Sequence, residues 1–121
     1  MPIHRYLIIP LLLWTSLSLT QAHAFLDHAD PRVGSTVTGS PPVVKIWFTE
    51  ELEPAFSKIQ VFDAAGHEVD RQDSKVDPAN KALMSVSLPK LAAGNYKVVW
   101  HAVALDTHHT QGTFPFMVMA P

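Results

Sequence analysis

Residues 94–119 read GNYKVVWHAVALDTHHTQGTFPFMVM, and this stretch decides the fold class. Apolar side chains recur at every second position in both halves: Tyr96, Val98 and Trp100 in the first, and Phe114, Phe116 and Val118 in the second. A period of two is typical of β-strands that bury one face. The stretch therefore predicts two strands, at 95–103 and 112–119. Pro115 has no N–H to donate to a neighbouring strand at its own position.

The same alternation recurs upstream, between turn-forming clusters of Pro, Gly, Asn and Asp. Further strands are predicted at 24–29, 43–48, 58–62 and 82–88, with a short return strand at 67–69. Residues 70–80 are polar and are predicted to be a loop. Because helical periodicity is weak, about seven short strands favour an all-β, two-sheet antiparallel sandwich. Trp47 and Trp100 are predicted to be core aromatics.

Composition narrows the function classes. The chain has 121 residues, a formal charge of −2 and no Cys. A mildly acidic chain with scattered Lys argues against binding to nucleic acid or to an anionic membrane. The lack of Cys excludes disulfides, thiol catalysis and blue-copper sites with a thiolate ligand. About 100 residues after a leader are enough for one core.

The first 22 residues have the form of a signal peptide. Arg5 precedes an apolar run from Tyr6 to about Leu19, which is too short to span a membrane and contains a Pro. Small residues permit cleavage after Ala22 or after Ala24, and the local rule slightly favours the second site. Cleavage after Ala22 would make His23 the first residue of a chain 23–121. Loss of Arg5 would leave eight Lys and Arg against eleven Asp and Glu, a net charge of −3.

Two features among the seven His residues suggest metal binding. Asp106 and His108 are two residues apart, so in extended backbone a carboxylate and an imidazole would point to the same side. A His at the first position of a mature chain can chelate Cu(II) through its α-amine and its ring. His23, Asp106 and His108 would together supply three nitrogens and one oxygen, which suits the tetragonal preference of Cu(II).

The chain resembles the CopC-type periplasmic copper-binding proteins in three blocks that occur in the same order. These blocks are HAFLDHADPRVGSTV at 23–37, IWFTEELEPAFSKIQVFDAAG at 46–66 and GNYKVVWHAVALDTHHTQGTFPFMV at 94–118. The resemblance implies an immunoglobulin-like β-sandwich of Greek-key type. It implies one Cu(II) ion per chain, with His23, Asp106 and His108 as metal ligands. It also favours cleavage after Ala22, because mature chains of the family begin at the His.

The resemblance further implies a copper carrier or buffer of the periplasm, active in copper homeostasis and resistance. Its partner would be a CopD-type membrane copper transporter on a separate chain, and we expect the carrier to be a monomer. Some members have a Met-rich Cu(I) site. Here Met84, Met117 and Met119 form no such cluster, so a member that binds only Cu(II) is expected.

Two other function classes remain open on the sequence. An N-terminal His with a second His resembles the copper brace of oxidative polysaccharide-cleaving enzymes, although a carboxylate ligand would fill a coordination position that those enzymes keep open. A metal-free sandwich used for adhesion or assembly is the third hypothesis. The sequence assigns no role to His28, His101 or His109.

Overall fold

The alternating segments fold into strands of two sheets. The computed structural model describes residues 23–121, and this part of the chain contains eight β-strands. They are β1 (Leu26–Asp30), β2 (Thr36–Thr38), β3 (Val43–Phe48), β4 (Lys58–Asp63), β5 (Lys75–Val76), β6 (Leu83–Ser87), β7 (Gly94–Val103) and β8 (His109–Met119). The predicted signal peptide lies outside the described residues.

The strands form two four-stranded sheets, with the orders β1-β3-β6-β5 and β2-β8-β7-β4. The neighbours in both sheets are antiparallel except β2 and β8, which run parallel. Apolar residues of the two inner faces pack together between the sheets. The predicted all-β sandwich is therefore confirmed. None of residues 23–121 belongs to a helix with the length and hydrophobicity that crossing a bilayer requires.

The opening stretch supplies the central strand pair of the second sheet. Its predicted inward faces are confirmed, since these six side chains are at most 7% exposed: Tyr96, Val98, Trp100, Phe114, Phe116 and Val118. Trp100 lies opposite Gly112 on β8. A Cβ atom at Gly112 would lie 2.5 Å from the indole of Trp100, so the core requires a residue without a side chain here.

The hairpin between β7 and β8 ends in a short loop that carries the Asp-x-His pair. The N–H of Ala104 donates to the carbonyl of His108 at 3.0 Å, and the N–H of Thr107 donates to the carbonyl of Ala104 at 2.9 Å. The hairpin register extends to the pair Val103 and His109. The loop is therefore fixed at one end of the sandwich by a long two-stranded ladder.

Several predicted boundaries were wrong. The strands β2 and β5 were not predicted, and β8 begins at His109 rather than at residue 112. The predicted return strand 67–69 is reduced to a single bridge between Phe62 and Glu68. The eight strands replace the predicted seven because β2 and β5 are only three and two residues long, too short to show a period.

Trp47 was also placed wrongly by the sequence prediction. Strand β3 buries Val44, Ile46 and Phe48, so the alternation turns Trp47 to the other face. Its half-buried ring stacks on the imidazole of His28, with ring centroids 4.4 Å apart. Trp100, in contrast, is buried as predicted.

The outer edge of β4 is covered by the loop that follows it. The N–H of Val61 donates to the Asp70 carboxylate at 2.7 Å, and the N–H of Ile59 donates to the Ser74 hydroxyl at 2.9 Å. An uncovered edge would offer these N–H groups to another chain. The polar residues of this loop thus complete the hydrogen bonding of the sheet.

Candidate metal centre

The β7–β8 loop holds the carboxylate of Asp106 against His108. One oxygen accepts the backbone N–H of His108 at 3.2 Å, and the other lies 3.0 Å from the ring Nδ1 of the same residue. The prediction that these side chains converge assumed extended backbone. Their convergence instead arises from a turn, because Thr107 between them has a φ of 75°, in the left-handed region.

A second imidazole reaches the same loop from the opposite end of the described chain. The ring centroid of His23 lies 4.9 Å from that of His108, with an interplanar angle of 64°. Residues 23–25 precede β1 and run beside Thr49, whose N–H donates to the carbonyl of Phe25 at 2.8 Å. The fold thus brings His23, Asp106 and His108 to one place, although His23 and Asp106 are 83 positions apart in the sequence.

The electrostatics of the loop favour a cation. The hydrogen bond from the His108 side chain, followed by that from its backbone N–H, lowers the pKa of Asp106 below its ordinary value of 3.8, against a smaller opposing effect of desolvation. His23 adds a further lowering through its charge. A cavity of about 270 Å³ beside the loop is lined by Asp106 together with Glu50 and Glu51. Acidic side chains around the loop attract positive ions.

Side chains alone do not complete a metal site here. Among residues 23–121, no three His, Asp or Glu side chains are grouped so that they could hold a metal ion. Because Nδ1 of His108 faces the Asp106 carboxylate, Nε2 is the ring nitrogen directed away from that contact. A metal ion held at this loop would therefore need a donor besides these side chains.

Sequence reasoning left three His residues unassigned: His28 lies in β1, His101 lies in β7, and His109 directly follows His108. His28 lies 2.7 Å from the Asp27 carboxylate and stacks on Trp47. His101 is half-buried on β7, and His109 opens β8 opposite Val103. Only His23 and His108, of the His residues in the described chain, have their rings in contact with one another.

Two threonines near His23 were missed by sequence reasoning. Thr49 and Thr110 hydrogen-bond the main chain of residues 23–25. Both lie inside blocks that resemble the family, but their hydrogen-bond partners lie more than 20 positions away in the sequence. No local pattern could have identified them.

Comparison with known proteins shows the family of the chain. A family model described as the CopC domain matches residues 26–119, which is most of the chain. The chain belongs to the CopC family. The match includes the β7–β8 loop with Asp106 and His108 and begins three positions after His23.

Some relatives of this CopC protein carry names that refer to copper. It is 33% identical over 117 residues to the copper transport protein CutJ of Bacillus subtilis, covering 95% of this chain and 22% of CutJ. It is 31% identical over 107 residues to copper resistance protein C of Pseudomonas syringae pv. tomato, covering 84% of each. The chain thus spans about a fifth of CutJ but most of the Pseudomonas protein.

Solved structures of CopC proteins share the fold. The crystal structure of CopC from Methylosinus trichosporium OB3b superposes with a TM-score of 0.77 at 32% identity, covering 81% of this chain and 95% of that one. PcoC of Escherichia coli, described as a methionine-rich copper resistance protein, gives a TM-score of 0.69 at 30% identity, covering 81% of this chain and all of PcoC. Membership of a family of copper transport and resistance proteins is therefore a property of both sequence and fold.

Proposed function

We propose that this CopC protein is a periplasmic Cu(II) carrier that binds one ion through His23, Asp106 and His108. The observation that supports it most is the contact of the His23 and His108 rings, 4.9 Å between centroids, at the loop where Asp106 contacts His108. The copper-related names of its relatives give the class of cargo. The protein would take part in copper homeostasis and resistance.

The proposal includes export and cleavage after Ala22. Residues 1–22 would be removed as a signal peptide, leaving the sandwich domain 23–121 with His23 first. The amine and ring of His23 would then chelate copper as a pair. With one nitrogen from His108 and one oxygen from Asp106, the set has the N/O character that Cu(II) prefers.

The available donors support Cu(II) as the bound oxidation state. Cu(I) prefers thioether and thiolate ligands, but the described chain has no Cys, and Met117 and Met119 lie on the exposed face of β8. The centre offers imidazole and carboxylate instead. We therefore assign the site to Cu(II) rather than Cu(I).

A carrier needs an accessible site and a second protein. The side chains of Asp106 and His108 are 40% and 44% exposed, so a bound ion could be passed on without unfolding. The partner we propose is a CopD-type membrane copper transporter on a separate chain, with the carrier acting as a monomer. We propose no enzymatic turnover, because Asp106 would fill a coordination position that a copper oxidase needs open.

Copper titration of two versions of the protein tests this function. One begins with His23, as checked by mass, and the other is the same protein with its His23 amine acetylated. We expect the first to bind one Cu(II) equivalent with a weak tetragonal d–d band, and the second to bind far more weakly, because an acetamide replaces the amine donor.

Three results would contradict parts of the proposal. Absence of a tight equivalent in the first protein would favour a metal-free interaction domain. Equal binding by both proteins would exclude the amine as a ligand. Peroxide-driven oxidation of polysaccharide by the copper-loaded protein would favour an enzyme.

A further inference from the structure

Two threonine hydroxyls hold the three residues that precede β1. The Thr49 hydroxyl donates to the carbonyl of His23 at 3.3 Å and accepts the N–H of Phe25 at 3.0 Å. The Thr110 hydroxyl donates to the carbonyl of Ala24. Residues 23–25 belong to no regular strand, so these side chains replace the ladder that would otherwise order the segment.

The two threonines lie on different sheets. Thr49 directly follows β3 of the first sheet, and Thr110 lies in β8 of the second, two positions after His108. The methyl group of Ala24 is fully buried between these attachments. The segment is therefore tied to the same strand that follows His108, which fixes the distance between His23 and the β7–β8 loop.

We propose that Thr49 and Thr110 are positioning residues for copper binding, an inference that rests on the proposed function. They order the main chain of His23 before the ion arrives, so that its amine and ring already face His108. Ordering a chain end costs conformational entropy, and a site that is ordered in advance avoids that cost during binding. Neither threonine would contact the metal.

The test uses the protein that begins with His23 and replaces each threonine by Val, which keeps the β-branched shape but removes the hydroxyl. We expect Thr49→Val and Thr110→Val each to weaken Cu(II) binding by about tenfold, the effect of losing one well-placed hydrogen bond. Thr49→Ser and Thr110→Ser keep the hydroxyl and should restore most of the affinity. Thr113→Val, an exposed position on the same strand as Thr110, serves as the matched control and should bind copper like the wild type.

Hydrogen exchange of the metal-free protein separates positioning from general stability. In Thr49→Val we expect faster exchange of the Phe25 amide, while amides of β7 and β8 exchange as in the wild type. A merely structural role would instead lower the unfolding temperature and leave the copper affinity of the folded protein unchanged. That result, or wild-type affinity in both Val variants, would overturn the positioning role.

The two proposals fail in different ways. If the wild-type protein binds copper and the Val variants bind it equally well, only the positioning role is wrong. If the wild-type protein beginning with His23 binds no Cu(II), the carrier function is wrong, and the threonines have no metal centre to position.

Discussion

Two turns of the sandwich hold an Asp–His pair in nearly the same way. In the turn after β4, Asp63 accepts the N–H groups of Ala65 and His67 at 3.0 and 2.9 Å, and its second oxygen lies 3.5 Å from the His67 ring. In the β7–β8 loop, Asp106 accepts the N–H of His108 and contacts its ring at 3.0 Å. Both carboxylates have a lowered pKa for the same main reason, hydrogen bonds from the His.

The turns differ in what the rest of the fold brings to them. His23 lies against His108, whereas the cavity beside Asp63 is lined by Tyr96 and Lys97 among others. A second imidazole adds a metal ligand, but an ammonium group repels a metal ion. An Asp–His pair thus arises from turn geometry alone, and a long-range contact makes one of the two a candidate site.

The largest expected effect comes from removing the His of each turn. His108→Ala should weaken Cu(II) binding by more than the roughly 10–100-fold typical of losing a residue that supports a metal ligand, because a ligand itself is lost. His67→Ala should leave the affinity unchanged. Isothermal titration with a competing chelator measures both. Equal losses in the two variants would show that the turns are equivalent and that the ligand assignment is wrong.

The sequence could predict contacts between residues that are close in the chain, but not contacts between residues that are far apart in it. The buried faces of β7 and β8 follow from a period of two, which is local. The strand β2 pairs with β8 from about 80 positions away, and Thr36–Thr38 has no apolar pattern to reveal it. Trp47 was misplaced because aromatic size suggested burial, while the alternation of β3 turns it outwards.

In the candidate site, too, the local contact could be predicted from the sequence and the long-range contacts could not. The spacing of Asp106 and His108 predicted their convergence, although the turn at Thr107 rather than an extended strand produces it. The approach of His23 was expected from its donor chemistry and from resemblance to a family, because no local pattern links position 23 to the Asp-x-His pair. The attachments at Thr49 and Thr110 depend on tertiary packing, so one sequence alone gives no signal for them.

Replacing the Asp of each turn should have a smaller effect on copper affinity than replacing His108, and only Asp106 should show it. Asp106→Ala should weaken Cu(II) binding by about 10–100-fold, whether the carboxylate ligates the ion or orients His108. Asp106→Asn keeps an oxygen that can accept the Nδ1 proton, so affinity close to the wild type would indicate orientation, and a loss equal to that of Asp106→Ala would indicate direct ligation. Competition titrations with Cu(II) at constant pH measure the three affinities.

The corresponding substitution in the turn after β4 should change stability rather than copper affinity. Asp63→Ala removes the acceptor of two backbone N–H groups and should lower the free energy of unfolding without changing copper affinity. Denaturant unfolding followed by Trp fluorescence measures the first, and the same competition titration measures the second. A loss of copper affinity in Asp63→Ala would place a metal ligand in the wrong turn.

The smallest expected effect is the pH dependence of that loss of stability. The backbone N–H of His67 is the main cause of the lowered pKa of Asp63, whose ordinary value is 3.8. A carboxyl whose pKa is lower in the folded state stabilises the fold fully above its unfolded pKa and loses that contribution as the pH falls through the folded value. The unfolding free energies of wild type and Asp63→Ala should therefore differ at neutral pH and converge below about 3.8.

The pKa of Asp106 is also lowered in the folded state. The unfolding free energies of the wild type and Asp106→Ala should therefore also converge below about 3.8. The loss of stability in acid therefore does not distinguish the two turns.

Stabilisation by copper should distinguish them. With Cu(II) present at neutral pH, the wild type and Asp63→Ala should gain stability, and Asp106→Ala should gain much less. The gain should fall in acid, because metal ligands must be deprotonated to bind the ion. A copper-induced gain of the same size in all three proteins would mean that the ion binds at neither turn.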